Sequence, residues 1–386
     1  MNILIFSAFY PIKDKDVRAT KAVHYFAREW IKLGHRVIVI HNHLQLWKLY
    51  RTFLNSKKSE LYIEEEKNYE IDGVSVLLMP IIRYIPRSNH ILTKDVNRVK
   101  KSILSFLNEE SFVPEKVIVH FCSSQWQIVE SIRDCFPCDP IPVFHNCDIK
   151  LPNLAKKIVS QSPIVGVRSR TIENRIEKIC DNDIKLFTVI SGAPDYIYGM
   201  QKRTNEYDKV KTKRILYVGE LIQQKNIHIT IKALAKLKHS YDFIFNIIGT
   251  GSLENELKQL TCQLGMSEKV EFLGQRSREE VLKFMCNSDC FVMVSQPETF
   301  GLVYIEAMAC GCFVIGSKNE GIDGIIRDKH NGFLVTPNDI DELAFALENY
   351  FSMDSTEISM IISTSIQTAE QLKESSVAKT YLDNIL

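Results

Sequence analysis

Two glutamates eight residues apart, Glu298 and Glu306, bracket the most informative stretch of the 386-residue sequence: Pro297-Glu298-Thr299-Phe300-Gly301-Leu302, running on to Glu306-Ala307-Met308-Ala309-Cys310-Gly311. The apolar run Cys290 to Val294 predicts a buried strand just before it, and Leu302, Ile305 and Ala309 carry a helix that Gly311 ends. At ~1.5 Å rise per residue, such a helix would hold the two carboxylates on the order of 12 Å apart along its axis. That is too far for a paired dyad or for the double displacement of retaining glycosidases. Between them, the backbone N–H groups of Phe300, Gly301 and Leu302 fall in the first turn, where they lack intrahelical partners and the helix dipole favours phosphate. The set describes a ligand with hydroxyl groups at its two ends and a diphosphate between them, as in sugar, diphosphate, ribose. An isolated pair of glutamates at this spacing is more often solvated on a capped surface helix. The buried strand immediately upstream is what favours the ligand.

The elements that must position these residues are legible as short β-branched runs alternating with helical patterns, the signature of parallel sheets covered by helices. The first series is Ile3 to Phe6, Val37 to Ile40, Val117 to Val119, Pro142 to Phe144, Ile164 to Val167 and Phe187 to Val189. The second is Ile215 to Val218, Phe243 to Ile248, Val270 to Leu273, Cys290 to Val294, Phe313 to Ile315 and Phe333 to Val335. The expected fold class is therefore α/β, with two doubly wound, Rossmann-like domains facing across a cleft. The expected boundaries are 1–190 for an N-terminal domain, with 370–386 packing back onto it, 191–212 for a hinge, and 213–369 for a C-terminal domain. Ligands of such sheets bind beyond the carboxyl ends of the strands, so the loops there are where function is sought.

Composition narrows the remaining choices. With 45% hydrophobic residues the chain is globular, and 48 Lys plus Arg against 47 Asp plus Glu leave a net charge of +1, which provides no global field for nucleic acid. Ten cysteines are too few for a disulfide scaffold and share no zinc spacing with histidine, so a reduced, cytoplasmic setting is expected. Cys135 and Cys138 form a C-x-x-C whose interior Phe136-Pro137 reads as a loop. Met1 to Tyr10 reads as a buried first strand and not as a secretory signal, and no apolar run approaches the ~18 to 20 residues that span a bilayer.

From Ile215 to Leu347 the chain resembles the nucleotide-sugar domain of retaining GT-B glycosyltransferases of family four. The resemblance rests on Tyr217-Val218-Gly219, Lys225, Gly249-Thr250-Gly251, Phe272-Leu273-Gly274, Ser288-Asp289, Glu298-Thr299-Phe300-Gly301, Glu306-Ala307-Met308-Ala309 and Asn331-Gly332-Phe333-Leu334-Val335, in that order. It is thinner in the first half, where Ile3 to Pro11, Gly34-His35-Arg36-Val37 and His145 carry it. The resemblance implies that Glu298 holds donor-sugar hydroxyls, that the Phe300, Gly301 and Leu302 amides beside Thr299 hold the diphosphate, and that Glu306 holds the ribose. Lys225 would neutralise the leaving phosphate, and His145 would lie against the reacting sugar. Gly219, Gly249 and Thr250 would line the donor site, with Gly249-Thr250-Gly251 beside the base. Lys15, His120 and Arg168 are the acceptor-side candidates.

Two departures from the family pattern stand out. Glu220 occupies a position where family members often carry arginine, so it must point away from the diphosphate or be compensated by Arg214, Arg168 or Lys15. Asp14 to Thr20 replaces the paired glycines of the first loop, which fits a loop that shapes the acceptor pocket. No cofactor and no metal are expected, since Asp181-Asn182-Asp183 reads as a turn and His41-Asn42-His43 as a strand end.

The basic segment His43 to Ser59, with an apolar helical stripe of Leu46, Leu49, Tyr50, Phe53 and Leu54, and the basic stretch Arg83 to Lys101 fit peripheral contact with an anionic membrane. The expected partners are a nucleotide sugar of UDP or GDP type and a saccharide or lipid-linked acceptor, without nucleic acid. The expected location is the cytoplasm, at the inner face of the cell membrane. The resemblance further points to bacterial capsule, exopolysaccharide or lipopolysaccharide assembly. The rivals are a nucleotide-sugar-binding module that has lost catalysis and an epimerase on the same fold.

Overall fold

The computed structural model describes residues 1–13, 21–47, 62–84, 89–180, 184–200 and 212–386. Contacts divide the chain into two compact units. The first comprises Met1–Arg168, Ile172–Val189 and Ala378–Leu386, and the second Ser169–Thr171 and Ile190–Val377.

In the first unit, eight strands form one sheet: β1 (Asn2–Ser7), β2 (Arg36–Leu46), β3 (Lys67–Ile71), β4 (Val74–Arg83), β5 (Lys116–His120), β6 (Pro140–Phe144), β7 (Val165–Val167) and β8 (Leu186–Thr188). Their order is β3-β4-β2-β1-β5-β6-β7-β8, parallel except for β3 against β4. The parallel strands are apolar on both faces because helices cover both sides; Ile3 to Phe6 and Val117 to Val119 are fully buried. The β3–β4 hairpin is absent from the expected strand series. Its turn, Asp72-Gly73, has positive φ at both residues, the geometry two-residue hairpins require. β2 continues through His43 to Leu46 alongside β4. The start of the expected basic helical segment is therefore strand, and His41-Asn42-His43 lies inside that strand instead of at its end. Residues 48–59 of that segment lie outside the described residues.

In the second unit, β9 (Lys213–Val218), β10 (Phe243–Ile248), β11 (Val270–Gly274), β12 (Cys290–Val292), β13 (Phe313–Ser317) and β14 (Phe333–Val335) make a fully parallel sheet in the order β11-β10-β9-β12-β13-β14. Residues 191–200, expected in the hinge, pack within this unit. Ala193 bridges Lys373, the Tyr198 hydroxyl donates to the Ala369 carbonyl at 2.6 Å, and Ile197 is fully buried. The final helix, Glu374–Ile385, begins in the second unit, and from Ala378 onward it belongs to the first. There the Trp30 indole donates to the Ala378 carbonyl at 2.8 Å. Among the described residues, no helix is long and apolar enough to cross a membrane.

Candidate active site

The second sheet reverses its order between β9 and β12, and the loops leaving those two strands carry the charged candidates. This is the topological switch point, where adjacent loops depart in opposite directions and leave a crevice. The two loops are tied together. Asn226, left-handed at φ 50°, donates from Nδ2 to the Val294 carbonyl at 2.9 Å, and the Gln296 N–H donates to the Gln224 carbonyl at 2.7 Å. That clamp sets Lys225 against Glu298, with Nζ 2.6 Å from Oε2 and both side chains largely shielded, at 22% and 12% exposure. Glu298 also accepts from the Ser295 hydroxyl at 3.0 Å and from the Thr299 N–H at 3.1 Å.

The helix starts later than its sequence pattern implied. It spans Leu302–Ala309, with Gly301 as a left-handed N-cap at φ 74°, so Glu298 sits in the preceding loop, and the ~12 Å helical spacing between the two glutamates does not apply. Gly301 suits this position because it has no Cβ; one would lie 2.6 Å from the Tyr304 ring. No described residue accepts a hydrogen bond from the N–H of Phe300, Gly301 or Leu302. Phe300 is buried beneath Gly321, whereas Gly301 and Leu302 are half-buried.

Two residues that local reading missed shape this loop. The Glu320 carboxylate accepts the Glu298 N–H at 2.7 Å, and the Gly321 N–H donates to the Glu298 carbonyl at 3.1 Å. The Gly321 backbone lies so close to the Thr299–Phe300 peptide that a Cβ would fall 2.1 Å from the Thr299 oxygen. Glu306 is nearly buried and ion-paired with Arg278, at the start of the helix Arg278–Cys286. Burial pushes its carboxyl above the ordinary range, and Arg278 opposes that shift. Neither Glu320 nor Arg278 has a local signal, since each is recognisable only by what it touches across 22 and 28 residues of chain.

Gly219, Gly249 and Gly251 serve the packing of two neighbouring loops. A Cβ on Gly249 would fall 1.9 Å from the Gly219 oxygen, and one on Gly251 2.4 Å from the Leu221 oxygen. The Leu221 N–H donates to the Thr250 carbonyl at 3.0 Å, zipping the loop after β9 to the loop after β10. Glu220 is exposed. Arg214 lies near the amino end of β9, four residues and ~13 Å from the Val218 end, so it cannot serve as the compensating cation there.

In the first unit, His120 ends β5 and His145 follows β6, and their rings meet with Nδ1 of His120 3.1 Å from Nε2 of His145. The Tyr381 hydroxyl lies 3.4 Å from His120 Nε2. The Asp148 carboxylate accepts the N–H groups of His145 and Ser123, each at 2.8 Å, holding the two strand ends together. Arg168 is buried, its guanidinium over the Phe26 ring at 5.6 Å. Burial, reinforced by Arg168, holds both histidines well below their usual pKa, so both rings are neutral at pH 7. Burial also depresses His24, and holds His41 at about 3.

Below about pH 6.5 the unfolded chain binds protons at these histidines that the folded chain refuses, so stability falls as pH drops from there. Calorimetry from pH 7.5 to 5.0 should show a falling melting temperature below about pH 6.5, with a shallower fall in His120→Gln; a flat profile would contradict the neutral histidine pair.

Lys15 and Asp181-Asn182-Asp183 lie outside the described residues. Among the described residues, no group of three His, Cys, Asp or Glu side chains is placed to hold a metal.

Residues 200–364 match the family of glycosyl transferases group 1. A 140-residue segment is 36% identical to an uncharacterized glycosyltransferase of Methanocaldococcus jannaschii, covering 36% of each chain. The chain thus spans little more than a third of that relative's length. The N-acetyl-alpha-D-glucosaminyl L-malate synthase of Bacillus anthracis is 24% identical over 288 residues, which are 72% of this chain and 73% of the relative. A lipopolysaccharide core biosynthesis glycosyltransferase of Rhizobium meliloti is 30% identical over 141 residues, 36% of this chain and 40% of the relative.

Among solved structures, the sucrose-phosphate synthase of Thermosynechococcus elongatus superposes with TM-score 0.74 at 17% identity, covering 99% of this chain and 97% of that one. Anabaena HepE, in complex with UDP and glucose, superposes with TM-score 0.70 at 18% identity, covering 99% and 98%. Residues 200–364 thus match the glycosyl transferases group 1 family, and the chain that contains them has the GT-B fold.

Proposed function

We propose that the chain is a retaining glycosyltransferase of family four. It would move a hexose-type sugar from a UDP- or GDP-type nucleotide sugar to a saccharide or lipid-linked acceptor, at the cytoplasmic face of the membrane, in bacterial capsule, exopolysaccharide or lipopolysaccharide assembly. The observation that carries this reading is the Lys225–Glu298 pair at the switch point, beside a helix whose first N–H groups have no acceptor among the described residues. Glu298 accepts hydroxyls of the donor sugar, the N–H groups of Gly301 and Leu302 face the diphosphate, and Glu306, held by Arg278, accepts from the ribose. As the glycosidic bond breaks, negative charge grows on the departing phosphate, and Lys225 stabilises it there without a metal ion. The acceptor hydroxyl attacks on the face the diphosphate leaves, and its proton passes to the departing phosphate oxygen. The HepE complex with UDP and glucose supports a nucleotide-sugar donor.

A panel of UDP-, GDP- and ADP-sugars, read by melting shift and by slow donor hydrolysis, tests the reading. One donor class should raise the melting temperature and release nucleotide. Glu306→Ala should weaken binding of every sugar on that nucleotide, while Glu298→Ala should lose discrimination among sugars. Because the Glu306 carboxyl titrates above the ordinary range, donor affinity should fall on acidification before an exposed carboxylate would protonate. Unchanged donor binding and turnover in both variants would remove the basis for the assignment.

A further inference from the structure

The first sheet has its own switch point, between β1 and β5, and an aromatic pair spans it. Phe9, two residues past β1, is 51% exposed, although Ile3 to Phe6 and Tyr10 on either side are fully buried. Its exposure is built in, because the flanking chain is pinned. The Ser7 hydroxyl donates to the Phe9 carbonyl at 2.7 Å, and the Tyr10 hydroxyl meets His24 Nδ1 at 2.8 Å, with Asp72 2.9 Å from the other ring nitrogen.

Behind Phe9 stands Phe121, immediately after β5, with ring centroids 4.8 Å apart at 70°. Phe121 adopts a left-handed backbone at φ 57° and ψ 52°, a conformation that costs energy for a bulky residue and persists where its surroundings enforce it. Its ring stacks on His145 at 3.7 Å and 21°. A half-exposed phenyl ring, held rigidly at the carboxyl ends of the central strands, lies where ligands of such sheets bind.

We propose that Phe9, braced by Phe121 and His145, is a stacking platform for the apolar face of a pyranose ring in the acceptor. An aromatic ring carries negative charge density on its face, and a pyranose with equatorial substituents turns a layer of axial C–H bonds to that face. The equatorial hydroxyls stay at the rim and remain hydrated, which suits a ring that is half exposed instead of one enclosed in a pocket. The platform selects the acceptor. It rests on the reading of the chain as a glycosyltransferase, and names the chemistry its acceptor side recognises.

Saturation-transfer NMR on the full chain tests it, with methyl β-D-glucopyranoside and, below its micelle concentration, octyl β-D-glucopyranoside as probes. The wild-type protein should transfer saturation to the ring protons H1, H3 and H5 of both. Phe9→Ala should lower that transfer about tenfold, and Phe9→Tyr should retain it. The melting shift given by the nucleotide sugar should be the same in all three proteins, which shows that the variants are folded. No transfer in the wild type, transfer that survives in Phe9→Ala, or saturation confined to the octyl chain would each overturn the platform. Loss of the nucleotide-sugar shift in the wild type would instead strike the glycosyltransferase reading.

Discussion

Lys225→Ala is expected to lower the rate of glycosyl transfer at saturating donor by about 10²- to 10³-fold, with a much smaller change in donor affinity. The asymmetry follows from when the charge develops. In the free protein the Lys225 ammonium is already neutralised by Glu298 at 2.6 Å, so its attraction for an intact donor is partly cancelled. As the glycosidic bond stretches, charge accumulates on the phosphate oxygen, and an ammonium shielded from water interacts with it more strongly than in bulk solvent. Lys225→Arg should recover only part of the rate, since the planar guanidinium keeps the charge but cannot occupy the position of a compact ammonium wedged against a carboxylate. Single-turnover kinetics together with a donor dissociation constant separate the outcomes. An equal loss in binding and in turnover would mean that Lys225 only holds the ground state.

Gly321→Ala is expected to weaken donor binding severely and to destabilise the second unit by about 1–3 kcal/mol. The added methyl would fall 2.1 Å from the Thr299 oxygen and 2.4 Å from the Phe300 nitrogen, and both are backbone atoms that cannot swing aside. The loop after β13 must then lift off the loop after β12. That also breaks the contacts by which Glu320 and Gly321 hold both backbone groups of Glu298. The variant should therefore lose donor-dependent stabilisation even where it remains folded. A melting shift by nucleotide sugar equal to that of the wild type would show that the loop tolerates the displacement.

Much of the fold was legible because its signals are local. Buried parallel strands are continuous apolar runs, and each run in the two expected series falls on a strand, with bounds within a few residues except at β2, which runs on from Ile40 to Leu46. The β3–β4 hairpin was missed because β4 breaks the apolar-run template with Ser75 and Pro80, and β3 is a polar edge strand. Its Asp72-Gly73 turn was nevertheless a readable sign. In the site, the residue types Glu298, Glu306, Lys225 and the glycines stood out by spacing, but the spacing misplaced the helix start, because no side-chain cap marks Gly301 as the boundary.

Local patterning along the chain carries the alternation of strands and helices, the parallel sheets, and the residue types available at the strand ends. Which of those ends are neighbours is a matter of how the sheets assemble. Strand order set β9 beside β12 and β1 beside β5, and so brought Lys225 to Glu298 across 73 residues, His120 to His145 across 25, and Phe9 to Phe121. Backbone periodicity records how each segment meets a core, whereas partnership between distant side chains depends on the register and order of strands. Those are settled collectively, by hydrogen bonding and packing over the whole sheet.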